Sequence, residues 1–282
     1  MNLKMVKLKF KVLTVILVTL FTLPSLGGEI QSALDVMVFA DSFTCNDKFP
    51  HHSFCNAVVF KPWTPEEKEI VGEYLRRIND PRLAHVLKTI QEKGITKIHR
   101  VEYGANWFNN VGQRRAEFSR SSDKALLWVD PVTHVIGFTD SFFKGTPFMD
   151  PYANVERKQL NVLHELFHVY DIATSHTSTG DAFKAAVGWE WNGKEFVIHG
   201  VDYEKAKDDF KSILDLVKNK QSAVAYAKDR ELGRTYGFPT VYAMMNSHEC
   251  FAEIMSYYIF DPTAESYYSK DLVNYVNSVL QK

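Results

Sequence analysis

Apolar and polar residues recur with two different periods along this chain. In its first half the period is often close to two. Residues 96–103 are β-branched and alternating, residues 125–129 are similar, and residues 131–138 follow an Asp-Pro turn as another strand. Two helices precede them. Thr64-Pro65-Glu66-Glu67 combines a capping residue, a proline at the first helical position and a capping-box glutamate, so a helix opens there and runs to about Arg77. A second spans residues 81–93 and ends at Gly94. Farther on the period lengthens to that of a helix. Residues 154–173 place Leu160, Leu163, Phe167 and Tyr170 on one face, and residues 203–219 do the same with Phe210, Leu214 and Val217. Between them, residues 188–199 read as a hairpin turning at Asn192-Gly193. Residues 247–260 form a further helix, stopped by Asp261-Pro262, and the C-terminus is helical again. Strands early and helices late, without repeats or a linker, predict one α+β domain with a small mixed sheet and a helical C-terminal half.

The extreme N-terminus breaks this pattern. Residues 1–11 carry Lys4, Lys7, Lys9 and Lys11 with no acid, and an apolar stretch of 15 residues (12–26) follows. A bilayer-spanning helix needs about 20. Small residues at Ser25 and Gly27 then suit cleavage after Gly27, so residues 1–27 are expected to be a signal peptide. The expected organisation is an N-terminal segment at 28–63 and a main domain at 64–282. The product would be secreted or periplasmic, with no stable membrane anchor after cleavage. Composition agrees with a globular protein, at 45% apolar and 24% charged residues. Without the four leader lysines, 29 basic residues face 34 acidic ones, and no basic stripe remains. Nucleic acid is therefore not an expected partner. Export makes the three cysteines eligible for disulfides. Cys45 and Cys55, which flank a polar loop with His51 and His52, are expected to pair. Cys250, inside an apolar helical pattern, is expected to be a buried, inert thiol.

The chemistry lies in His164-Glu165-Leu166-Phe167-His168. On a helix, residues four apart sit about 40° apart and one turn along, so two imidazoles converge on one ion. Glu165 projects about 60° to the side of His168, where it can take a proton from water. A catalytic zinc needs a third protein ligand. His176 lies past the expected helix end, and Asp171 and Thr174 stand where an extended H-E-x-x-H-x-x-G-x-x-H would require glycine and histidine. Downstream, Tyr242-Ala243-Met244-Met245-Asn246-Ser247-His248-Glu249-Cys250-Phe251-Ala252-Glu253 offers Glu249 as an oxygen ligand, with Glu253 one turn behind it to orient a ligand histidine. Asn246 and Glu249 are equally well spaced for a capping box.

Together the two segments resemble the gluzincin metallopeptidases, and more narrowly the anthrax lethal factor and Pro-Pro endopeptidase family, whose H-E-x-x-H-x-x-D and Y-A-x-x-N-x-x-E-x-F-A-E are matched by His164, Glu165, His168, Asp171, Tyr242, Ala243, Asn246, Glu249, Phe251, Ala252 and Glu253. The resemblance implies a zincin-like fold and one Zn2+ per chain, held by His164, His168 and Glu249. It implies Glu165 as general base, Tyr242 as hydrogen-bond donor to the oxyanion, and Asp171 and Glu253 behind the ligands. The implied activity is zinc-dependent endopeptidase cleavage of a protein or peptide. The alternatives are an exported scaffold that keeps the fold without catalysis, and a zinc amidase of the cell envelope. Intact Glu165 and Tyr242 favour the enzyme.

Residues 169–248 hold 80 positions between His168 and Glu249, enough for a lid, an exosite or an added layer of core. His199 and His248 read as structural, with a proton shuttle or second oxyanion donor as the other option. Arg114, Arg115, Arg120 and Lys124 read as a solvated turn. Residues 135–138 are expected to form the sheet edge on which a substrate strand pairs.

Overall fold

The computed structural model describes residues 30–43, 58–103, 127–130, 134–144, 147–194, 196–219 and 221–281. The expected signal peptide, the Cys45–Cys55 pair, His51, His52 and the basic cluster at 114–124 lie outside the described residues. Among those described, no helix is long and apolar enough to cross a membrane.

The architecture is α+β. Strand β3 (Lys97–Tyr103) is the axis of a five-stranded mixed sheet. Strand β1 (Val38–Ala40) pairs with its first part in parallel, and β2 (Val58–Lys61) pairs antiparallel with its second part, from Lys61 opposite Arg100 to Val58 opposite Tyr103. Strand β5 (Ile136–Phe138) also pairs with β3 in parallel, and β4 (Leu127–Val129) adds antiparallel to β5. The expected edge at 135–138 is therefore an interior strand, and β4 is the outer one. Its composition explains the difference. Ile136, Gly137 and Phe138 are all buried, the continuous apolar run of a strand covered on both faces rather than the alternation of an edge.

Helix α1 (Pro65–Arg76) starts as its sequence requires. The Thr64 hydroxyl accepts the Glu67 N–H at 3.1 Å, and the Glu67 carboxylate accepts the Thr64 N–H at 3.1 Å. Helices α2 (Ala84–Glu92) and α3 (Asp140–Lys144) complete this half. The central helix is α4 (Arg157–Ala173), in which residues on every side are buried, as befits an interior helix. It opens at Arg157 rather than at the expected 154. The Asp150 carboxylate gathers the N–H groups of Tyr152 and Ala153 into a turn, and the Phe148 carbonyl takes the Arg157 N–H at 2.9 Å.

The second half is helical apart from a hairpin of β6 (Trp189–Trp191) and β7 (Phe196–Ile198). Helices α5 (Asp181–Val187), α6 (Tyr203–Lys218) and α7 (Ser222–Thr235) precede α8 (Ser247–Phe260), and α9 (Lys270–Leu280) closes the chain. Residues Cys250 to Ile259 of α8 are all buried, and the helix packs along α4. Phe251 stacks on Tyr170 with centroids 6.4 Å apart and meets Phe167 edge-on at 6.3 Å. Each buried aromatic contributes roughly 1.5–3 kcal/mol, so the two helices are held tightly. Cys250 is a free, buried thiol that burial pushes up from its ordinary pKa.

Candidate metal centre

Helix α4 and the start of α8 bring three donor atoms together. His164 and His168 are one turn apart, with their Nε2 atoms 3.0 Å from each other. The α8 end is fixed by Asn246, whose side chain accepts the N–H groups of His248 and Glu249 at 3.0 and 2.9 Å. Only this half of a capping box forms. The Glu249 side chain turns to the imidazoles, with Oε2 3.1 Å from His164 Nε2 and 3.3 Å from His168 Nε2. Donors about 2.0–2.1 Å from a tetrahedral zinc are separated by about 3.3–3.4 Å, so this triangle fits such an ion with little adjustment.

The surroundings also fit a cation. Glu253 is fully buried, with Oε1 3.1 Å from His164 Nδ1, though not in line for a full hydrogen bond. An ion on Nε2 would leave the proton on Nδ1, the tautomer that a carboxylate can orient. Thr240, also buried, donates to Glu253 Oε2 at 2.8 Å, and Arg157 stands 3.9 Å from Oε1. Burial disfavours charge on His164, but the neighbouring carboxylates of Glu249 and Glu253 outweigh it and raise the pKa to about 10. That preference for a positive charge is one that a divalent ion can satisfy. Burial also opposes charge on Glu249, yet His168 and His164 hold it well below the usual carboxylate range. Glu165 is half-buried beside the triangle. Burial raises its pKa to about 7, aided by Glu249 and Glu253 and opposed by the two imidazoles.

Tyr242 enters from the insert side. It lies in a short 3-10 turn, Tyr242–Met244, with its hydroxyl against Glu249. Burial, then the charge and hydrogen bond of Glu249, push the phenol well above its ordinary pKa, so it remains a proton donor. Sequence reasoning missed what holds it. The Asp229 carboxylate on α7 accepts the N–H groups of Val241 and Tyr242 at 2.7 and 3.3 Å. Phe210 on α6 stacks on the Tyr242 ring at 6.1 Å. Residues 203–235 thus include a layer that seats Tyr242.

Gly233 permits the close approach of α7 to this segment. A Cβ at 233 would lie 2.4 Å from the backbone Cα and C of Thr240, with no flexible side chain to give way. Helix propensity alone would make Gly233→Ala stabilising by about 1 kcal/mol. The crowding reverses the sign. A loss of about 1–3 kcal/mol in urea unfolding is expected, together with a displaced Tyr242. Stabilisation by this substitution would show that the backbones are not in contact.

Asp171 is buried, but its hydrogen bonds do not go to the ligand histidines. Oδ1 accepts the Ser178 N–H at 2.7 Å, while Oδ2 accepts the Ser178 hydroxyl at 2.7 Å and lies 3.0 Å from His248 Nδ1. The chain beyond α4 folds back through Thr177–Thr179 onto Asp171, so its carboxylate ties the end of α4 to this turn and to His248 instead. His199 is exposed and pairs only loosely with Glu190, at 3.4 Å. No protein-family model, curated protein or solved structure matches this chain.

Proposed function

We propose that this chain is a zinc metalloendopeptidase with a zincin-like fold, exported by its N-terminal leader. The observation that carries the reading is the convergence of His164, His168 and Glu249, with Glu165 and Tyr242 at its rim and Glu253 behind His164. Zinc bound there would supply Lewis acidity, bringing the pKa of water toward about 7 and polarising a carbonyl oxygen. The protein groups do the rest. The Glu165 carboxylate accepts a proton from water as it attacks the peptide carbonyl, and later delivers that proton to the leaving amine. A basicity near neutral suits both transfers. The Tyr242 hydroxyl donates a hydrogen bond to the carbonyl oxygen as negative charge builds on it. Glu253 keeps His164 in one tautomer, and Thr240 and Arg157 keep Glu253 in place. An extended substrate would lie along β4, the edge strand beside β5.

The test is cleavage of a mixed peptide library by protein beginning at Gly28. Cleavage is expected to disappear on chelation and to return with one equivalent of Zn2+. A folded, zinc-loaded protein that cuts nothing in the library, or cleavage indifferent to chelator, would contradict the assignment.

A further inference from the structure

A second convergence of donors lies beside the first, built from residues the hydrolytic reading does not use as ligands. Asp171 is three residues beyond His168, and His248 immediately precedes Glu249. His248 Nδ1 is 3.0 Å from Asp171 Oδ2, and His176 Nδ1 is 3.7 Å from the same oxygen. The three ligand atoms all lie within 4.8 Å of one another. Asp171 is 1% exposed, whereas the side chains of His176 and His248 are 44% and 45% exposed, so a buried anion sits beneath two accessible rings.

The position of His176 is set by unusual backbone. Ser175 and His176 both adopt the left-handed conformation, with φ of 60° and 63°. That costs a non-glycine residue roughly 1–2 kcal/mol. It folds the chain back over the end of α4, where the His176 N–H donates to the Asp171 carbonyl at 2.7 Å and the ring meets His248 edge-on at 5.4 Å. Yet His176 Nδ1, shielded from solvent, has no hydrogen-bond partner among the described residues. A buried ring nitrogen left without a partner is unfavourable by about 1–3 kcal/mol. A cation between the two Nδ1 atoms and Asp171 Oδ2 would satisfy it. Two imidazoles and one carboxylate are a donor set for a divalent transition ion. Ser178, whose hydroxyl donates to Asp171 Oδ2 at 2.7 Å and whose N–H donates to Oδ1 at 2.7 Å, would orient the carboxylate.

We infer that Asp171, His176 and His248 form a second divalent transition-metal site. It joins the end of α4 to the start of α8, and so braces the two helices that carry His168 and Glu249. Its wider spacing and exposed rings make it the weaker and more exchangeable of the two.

Zinc uptake by the chain from Gly28, followed by equilibrium dialysis, separates the two sites. Wild type is expected to reach two equivalents, a tight one and a weaker one. His176→Asn, which tolerates the left-handed backbone, is expected to keep the tight equivalent and lose the weaker one, and His248→Gln to do the same. Glu249→Ala is expected to lose the tight equivalent alone. Saturation of wild type at one equivalent, or a second equivalent that survives both histidine substitutions, would reduce the cluster to hydrogen bonding and leave the first site standing. Failure of the first metal site would instead show as absence of the tight equivalent from wild type, and failure of the catalytic reading as a zinc-loaded chain that cleaves no peptide.

Discussion

Glu165→Gln is expected to bind zinc as wild type does and to lose peptide cleavage by a factor of 10³ or more. Glutamine fills the same volume and Glu165 is not one of the three convergent ligands, so neither fold nor metal content should change. What disappears is the one carboxylate at the rim poised near neutral pH, at about 7. Proton transfer by a positioned base is typically worth 10²–10⁴ in rate, or about 3–5 kcal/mol of barrier. Here the same group serves two successive transfers, which places the loss toward the upper end. Single-turnover cleavage of any peptide selected from the library measures it. Activity within tenfold of wild type, at unchanged zinc content, would remove Glu165 from the mechanism.

The largest effect on stability is expected from Arg230→Met. Arg230 is fully buried, donates from Nε to Asp150 at 2.9 Å and from Nη2 to Asp261 at 2.7 Å, and also donates to the Pro239 carbonyl. Its guanidinium lies 4.1 Å from the Tyr257 ring centroid. Methionine replaces the volume but leaves two buried carboxylates without this partner. Asp261 keeps Arg234 at 3.0 Å, whereas Asp150 retains no cation at hydrogen-bond distance among the described residues. Removing one member of such a buried pair costs about 3–5 kcal/mol. Urea unfolding is expected to show a loss of that order, and Asp150→Asn added to Arg230→Met should recover part of it. A loss below about 1 kcal/mol would mean that the network contributes little. Because Arg230 also holds Pro239, just before Thr240 and Tyr242, turnover should fall alongside stability.

These buried charges also explain which parts of the fold were legible in the sequence. The interior helix α4 announced itself through Leu160, Leu163, Phe167 and Tyr170, and α1 through Thr64, Pro65 and Glu67, because apolar spacing and capping are local signals. The ligand histidines were legible for the same reason, since a one-turn separation on a helix is fixed by the chain. Helix α7 gave no such signal. Its buried residues include Tyr226, Asp229, Arg230 and Gly233, so its packed face is largely polar and its partners, at 150, 239–242 and 261, are distant in sequence. The seating of Tyr242 was hidden with it. Asp171 shared the ligand face in helical projection, but a left-handed turn at Ser175 and His176 returned the chain to claim it, and left-handed backbone at non-glycine residues leaves little trace in sequence. Strand β5 was recognised as a strand, whereas its place inside the sheet depended on β4, a three-residue neighbour. The choice for Glu249 between cap and ligand needed the third dimension, because both uses have the same spacing from Asn246.

His164, His168 and Glu249 are expected to hold one zinc ion tightly. The most direct measurement is elemental analysis of protein beginning at Gly28 and purified without added metal, beside a Glu249→Ala variant. One equivalent of zinc per wild-type chain, absent from the variant, is the expected result. A folded wild-type chain that carries no zinc and refuses it when offered would contradict the claim.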